Sequence, residues 1–258
     1  MLSQTESFER ITSEISTFPS LLIMLGTGWN QVLDEAHVEK EISYKDLFGV
    51  SATVPGHEGK LVIARISGKQ VAFMQGRLHM YEGYSGEEAT LPIRVFAQAG
   101  AKQLIVTSAS GALNESYRVG DFVILSDLLT LFLPTNPLVG PQFIDMSQAF
   151  NPDLRLLAKK ICAQASLPFR EGIYAYMKGP HFETPADKMA LHHLGADVVG
   201  MSTVPETIMA RSLGLDVLGL SFVTNLAFVQ HAHEDVLAAA DASSKHMAQL
   251  LTGIISDL

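Results

Sequence analysis

Disulfide chemistry is the first thing this chain lacks material for. Of its 258 residues a single one, Cys162, is cysteine, so neither an intrachain disulfide nor a cysteine metal cluster can form. A reducing cytoplasm is the compartment this suggests. Basic charge is also scarce: 18 Lys and Arg face 27 Asp and Glu, a formal net charge of −9. That balance repels a nucleic-acid backbone and argues against such a partner, while leaving open a small anion held by one or two placed cations. No apolar run approaches the roughly 18 to 20 residues a membrane span requires. The start Met1-Leu2-Ser3-Gln4-Thr5-Glu6-Ser7 has no basic stretch followed by an apolar one, so neither a membrane anchor nor a leader is expected. Repeats, low-complexity tracts and linkers are missing too, and one domain over residues 1–258 is the expectation.

What is present is core material, 47% hydrophobic against 17% charged residues. Short apolar runs at 21–25, 61–66, 70–74, 103–107, 122–125, 198–201 and 216–222 predict buried strands. Between them, helical spacing covers 86–99, 152–166, 185–194, 205–213 and 233–258. Such alternation predicts an α/β domain whose strands are buried on both faces and flanked by helices. Residues 131–147, with three prolines and one glycine, read as a long surface loop.

Ligands in open α/β sheets bind outside the carboxyl ends of strands, so the residues just after each run matter most. Leu25-Gly26-Thr27-Gly28 sets a hydroxyl between glycines, where backbone N–H groups can approach an anion; a plain tight turn is the competing reading. In Met74-Gln75-Gly76-Arg77-Leu78-His79-Met80-Tyr81-Glu82-Gly83-Tyr84, Arg77, His79 and Tyr81 share one side of an extended segment. A guanidinium fork and an imidazole suit a tetrahedral oxyanion, and an aromatic hydroxyl suits a sugar; the alternative is a solvated strand end. The small residues Ser108 to Gly111 let backbone come near a flat ligand, or simply pack strand on helix. Phe182 beside Glu183 can stack on a base and accept from its edge, unless the pair is only a turn before Thr184 and Pro185. Met201 and Ser202 precede Thr203, read as a helix cap with Glu206 closing a capping box, and Asn225 is an amide able to read a base edge or to make a turn. His231, His233 and Glu234 lack a third metal ligand at a recognised spacing.

Together these segments, with Val54-Pro55-Gly56-His57, Val119-Gly120-Asp121 and His233-Glu234-Asp235-Val236-Leu237-Ala238-Ala239, resemble the purine nucleoside phosphorylases of the low-molecular-mass, trimeric class along nearly the whole chain. The resemblance implies an α/β single domain with a central twisted mixed β-sheet of phosphorylase/hydrolase-like type flanked by helices, and phosphorolysis of 6-oxopurine nucleosides such as inosine and guanosine, with inorganic phosphate as co-substrate and no metal or organic cofactor. By the same resemblance Thr27, His57, Arg77, His79, Ala109 and Ser202 match the phosphate site. Tyr81, Met201, His233 and, from a neighbouring subunit of a homotrimer, Phe143 match the ribose site, and Phe182, Glu183 and Asn225 the base site. Asn225, Glu183 and His79 are the catalytic candidates: a donor near the purine imidazole stabilises the negative charge that the leaving base acquires. Departures from the family's pattern are Thr27 for serine, Ser108 for asparagine, Leu226 for lysine, and shorter stretches near Pro141 and Leu226. A methylthioadenosine phosphorylase and a purine-binding relative without turnover are the alternatives.

Overall fold

The computed structural model describes every residue except Pro55, Gly56, Gln230 and His231, and of His233 the backbone alone. Its strands are β1 (Leu21–Leu25), β2 (His37–Ser43), β3 (Lys60–Ile66), β4 (Lys69–Gln75), β5 (Gln103–Ala112), β6 (Phe122–Leu129), β7 (Phe169–Tyr176), β8 (Val198–Gly200) and β9 (Asp216–Leu226). All join one mixed nine-stranded sheet in the order β2-β3-β4-β1-β5-β8-β7-β6-β9. β1 lies parallel between β4 and β5, as a fully buried apolar run should. β9 pairs with β5 as well as β6, so β5, β8, β7, β6 and β9 close into a ring.

The helices are α1 (Gln4–Glu14), α2 (Tyr44–Phe48), α3 (Gly86–Ala89), α4 (Leu91–Ala99), α5 (Pro152–Gln164), α6 (Pro185–His193), α7 (Val204–Ser212), α8 (His233–Ala242) and α9 (Ser244–Asp257). The helical stretch predicted over 86–99 is split at Thr90, where Pro92 in the first turn of α4 has no N–H to continue an earlier helix. The one predicted over 233–258 is split at Ser243. Strand side chains alternate between two cores. Leu22 and Met24 of β1 pack with residues of α1, α4 and α7, whereas Leu21, Ile23 and Leu25 pack with α5, α9 and a 3-10 turn over Trp29–Glu35. Among the described residues no helix is long and apolar enough to cross a membrane.

β2 and β7 fall outside the predicted runs. β2 is an edge strand reading His-Val-Glu-Lys-Glu-Ile-Ser, mostly exposed, and charge on an edge hides the alternation that marks a strand. β7 begins Phe-Arg-Glu-Gly before its buried end. β5, β6 and β9 all run past their predicted ends, because pairing around the ring extends them through small and polar residues. Ring closure depends on Phe222 of β9, paired with Phe122 of β6 and set edge-on to it at 5.3 Å between centroids. Phe222→Ala should therefore cost about 3–5 kcal/mol of stability, measured by denaturant unfolding; a loss below ~1 kcal/mol would remove this contact from the core's main supports.

Candidate active site

The ends of five strands meet at one cleft. Gly26 and Thr27 follow β1; Arg77, His79 and Tyr81 follow β4; Ser108 to Gly111 belong to β5; Met201 and Ser202 follow β8; Thr224 and Asn225 end β9. His57, Phe182 and Glu183 complete the wall, so eleven of the predicted site residues are brought together: Thr27, His57, Arg77, His79, Tyr81, Ala109, Phe182, Glu183, Met201, Ser202 and Asn225. Phe143 does not line its own chain's cleft and is 94% exposed. The side chain of His233 lies outside the described residues, as do Pro55 and Gly56 beside His57, and His231.

Thr107 of β5 organises the anion end. Its hydroxyl donates to the Met24 carbonyl and accepts from Gly26 N–H, both at 2.9 Å, which pins the Gly26-Thr27-Gly28 turn against β5. A Cβ at Gly26 would lie 2.6 Å from the Thr107 carbonyl oxygen, so only glycine allows this approach. Trp29, fully buried, donates from its indole to the Ser108 carbonyl at 3.1 Å and fixes the far side of the turn. The Thr107 carbonyl in turn accepts from Arg77 Nη2, and Arg77 Nη1 reaches Glu206 Oε1 of α7 at 3.1 Å. Arg77 is only 2% exposed; a guanidinium so deep is tolerated because both groups meet it.

Two histidines stand over this arginine. The backbone N–H of Arg77 donates to His57 Nδ1 at 3.2 Å. Burial, with the nearby His79 and Arg77, pushes His57 down to about 3. His79 Nδ1 lies 3.1 Å from Glu82 Oε1, and a carboxylate can only accept, so the proton sits on Nδ1 and Nε2 is left with a lone pair. Burial lowers His79 as well, despite the bond to Glu82. Burial would raise the Glu82 carboxyl, but hydrogen bonds from His79 and Thr53 outweigh it and hold the group at about 2. Both rings are thus neutral near pH 7.

Tyr81 stacks on His79 at 4.6 Å and 17°. It lies in a 3-10 turn over Met80–Glu82 rather than on an extended segment, which corrects the expected strand-like alternation; the turn, not the pleat, puts it beside His79. Its phenol is pushed up to about 12 by burial and by Glu82, so it presents a neutral hydroxyl.

The opposite end of the cleft is built by a β-bulge. β9 pairs Val223 with Ser110 and Asn225 with Gly111, leaving Thr224 as the extra residue, so two consecutive side chains face the same cleft. Asn225 passes so close to β5 that a Cβ at Gly111 would sit 2.9 Å from its Nδ2. Phe182 is partly exposed at the mouth and Glu183 is buried beneath it. Gly179, with φ of +69°, holds their segment against Met201, whose sulfur would collide with any side chain there.

Ser202 lies within 3.3 Å of the buried Tyr174 hydroxyl, and Thr203 follows it in the left-handed region at φ +72°, a strained conformation for a β-branched residue. The expected cap is corrected here. Thr203 occupies the N-cap position of α7, but at this φ its side chain makes no capping hydrogen bond and turns instead toward Ser202, at 3.4 Å. Glu206 closes no box; its Oε1 is turned to Arg77 instead. Sequence reasoning thus missed Glu206, Thr107 and Tyr174 as supports of the site. Glu82 carried a usable local signal, three residues after His79 in a turn. Arg77 and Glu206 are 129 positions apart and carried none.

The neutral histidines dictate the acid response. His57 has a folded pKa below its ordinary 6.5, so the unfolded chain takes up its proton first and stability falls as pH drops from about 6.5 toward about 3. Glu82, held at about 2 against an ordinary 4.5, adds a loss as pH falls below the ordinary value. Melting temperature should decline steadily from pH 7 to 4, and His57→Gln should flatten the upper part of that decline; an unchanged slope would show that the ring is not held neutral.

Residues 20–256 match the phosphorylase superfamily model. Purine nucleoside phosphorylase 1 of Bacillus subtilis is 39% identical over 259 residues, 95% of each chain. The purine nucleoside phosphorylase of Bos taurus is 36% identical over 260 residues, 93% of this chain and 89% of that one. Among solved structures, Schistosoma purine nucleoside phosphorylase in complex with hypoxanthine superposes with a TM-score of 0.89 at 36% identity, covering 99% of this chain and 96% of the other. Isoform 2 from Schistosoma mansoni, in complex with cytosine and ribose-1-phosphate, gives 0.92 at 35% identity over the same shares. A match over nearly the whole length makes the chain a member of the phosphorylase superfamily, within its purine nucleoside phosphorylases.

Proposed function

We propose that the chain, acting as one domain over residues 1–258 in the cytoplasm, is a purine nucleoside phosphorylase that cleaves 6-oxopurine nucleosides such as inosine and guanosine. The observation that carries this reading is one cleft with two chemically distinct ends, Arg77, His79, Thr27 and Ser202 at one and Phe182, Glu183 and Asn225 at the other, with Tyr81 and Met201 between. Phosphate fits the first end, where the guanidinium keeps N–H groups beyond those given to Thr107 and Glu206. His79 Nε2, with its lone pair, can accept a phosphate hydroxyl proton. A phosphate oxygen then forms a bond to the anomeric carbon as the glycosidic bond breaks, and the bonding pair leaves with the purine. Asn225 donates toward the imidazole nitrogen of the base and stabilises the developing charge. Glu183 accepts from the ring N–H of a 6-oxopurine; adenine offers a lone pair there, and a site built for that N–H can reject it by on the order of 10⁴-fold.

Schistosoma mansoni purine nucleoside phosphorylase has been solved with inosine and with adenosine, which supports a purine nucleoside as the ligand and leaves the base preference to Glu183 and Asn225; none of the similar proteins named above is a methylthioadenosine phosphorylase. The complete phosphate set weighs against a relative without turnover. Incubation with inosine should give hypoxanthine and ribose 1-phosphate only when phosphate is present, with adenosine turned over far more slowly. Cleavage at equal rates without phosphate would overturn the phosphorylase reading, and equal rates on adenosine would overturn the base preference alone.

The homotrimer belongs to the same proposal. Phe143, Leu131 and Val139 stand exposed on the stretch between β6 and α5, an apolar surface suited to a neighbouring subunit, with Phe143 reaching that subunit's sugar end. Sedimentation at assay concentration should show a trimer, and Phe143→Ala should raise KM for inosine; a fully active monomer would sink the shared site.

A further inference from the structure

Behind the anion end lies a buried charge that the reaction above does not use. Glu206 opens α7, where the helix N-terminus favours a carboxylate, and its side chain is 5% exposed. Oε1 holds Arg77 Nη1 at 3.1 Å, while Oε2 is buried with no hydrogen-bond partner among the described residues. The neighbouring Tyr176 hydroxyl, whose ionisation is pushed up by burial and then by the Glu206 charge, is likewise buried without a partner. A carboxylate kept so far from water with a single bonded atom is not there for its own hydrogen bonding. Among the described residues Arg77 is its one ion-pair partner.

We infer that Glu206 is a positioning residue for phosphorolysis: it orients the Arg77 guanidinium and offsets its charge, so that phosphate meets a pre-aimed but largely neutralised cation and is held reversibly. This rests on the phosphorylase reading. Near the guanidinium, the Thr107 carbonyl and Ser202 are uncharged, and His57 and His79 are neutral, with Glu82 held by His79. Glu82 is ionised but bonds to His79 and Thr53 and not to the guanidinium, so the charge in direct contact with Arg77 is that of Glu206. A dianion entering is attracted by one partner and repelled by the other, and removing only the repulsive one tightens binding in so dry a place.

The test is Glu206→Gln, which keeps an oxygen to accept from Arg77 but removes the charge, beside Glu206→Asp, which keeps the charge but draws it back from the guanidinium. In inosine phosphorolysis, E206Q should lower the KM for phosphate by about tenfold, and E206D should raise it. The inosine KM should stay near the wild-type value in both. A purely structural role would raise the phosphate KM in both variants, and a phosphate KM at or above wild type in E206Q overturns the inference. Because E206Q leaves a buried cation uncompensated, its stability is read separately. Inorganic phosphate, against potassium chloride of equal ionic strength, should raise its melting temperature more than that of the wild type. An equal or smaller rise also overturns the inference, even for a variant too unstable to assay. Absence of any phosphate dependence in the wild type would instead remove the phosphorylase reading on which it rests.

Discussion

The placement of one buried guanidinium constrains most of what surrounds it. An unpaired arginine at the depth of Arg77 is strongly destabilising, and groups from two distant parts of the chain converge there: a carbonyl of β5 and a carboxylate at the start of α7. The same Thr107 that offers its carbonyl uses its hydroxyl to hold the Gly26-Thr27-Gly28 turn, so the β1 turn and the β4 arginine are registered against one residue of β5. Trp29 locks that turn from the other side by bonding the next carbonyl along. Moving any of these would misplace the cation.

Around this anchor the histidines add no positive charge. The histidines are neutral through burial, and one of them has its tautomer set by a carboxylate whose own bonds hold it ionised. In a chain with a formal net charge of −9, long-range attraction contributes little to holding an anion, and recognition falls to directed N–H and O–H groups at close range. The strained φ of Thr203 and the Thr224 bulge serve the same end, since each re-aims a side chain, Ser202 in one case and Asn225 in the other, that regular geometry would turn elsewhere.

Legibility followed physical range. Leu21–Leu25 could be read as a buried strand because five consecutive apolar residues have few other fates, and the turn glycines after it mark where backbone must approach closely. Arg77 and His79 could be paired because two positions separate them, and Phe182 with Glu183 because they adjoin. β2 could not be read, its alternation masked by the charges an exposed edge carries, nor could the extension of β5 through Ser108 to Gly111, whose small residues look like a loop until a closing ring supplies partners. Thr203 and Glu206 satisfied a local capping rule that the fold overrode, with Glu206 Oε1 turned instead to a guanidinium 129 positions away.

By itself, then, the sequence determined the alternation of strands and helices, the strand ends at which chemistry gathers, and nearly the full membership of the cleft, because each rests on periodicity or on residues close in the chain. Only the tertiary structure decided how those members are held. The Arg77 and Glu206 pair, the Thr107 hub and the face presented by Asn225 each depend on contacts between elements far apart in sequence, whose energies exist only once burial has removed the water that would otherwise satisfy the same groups.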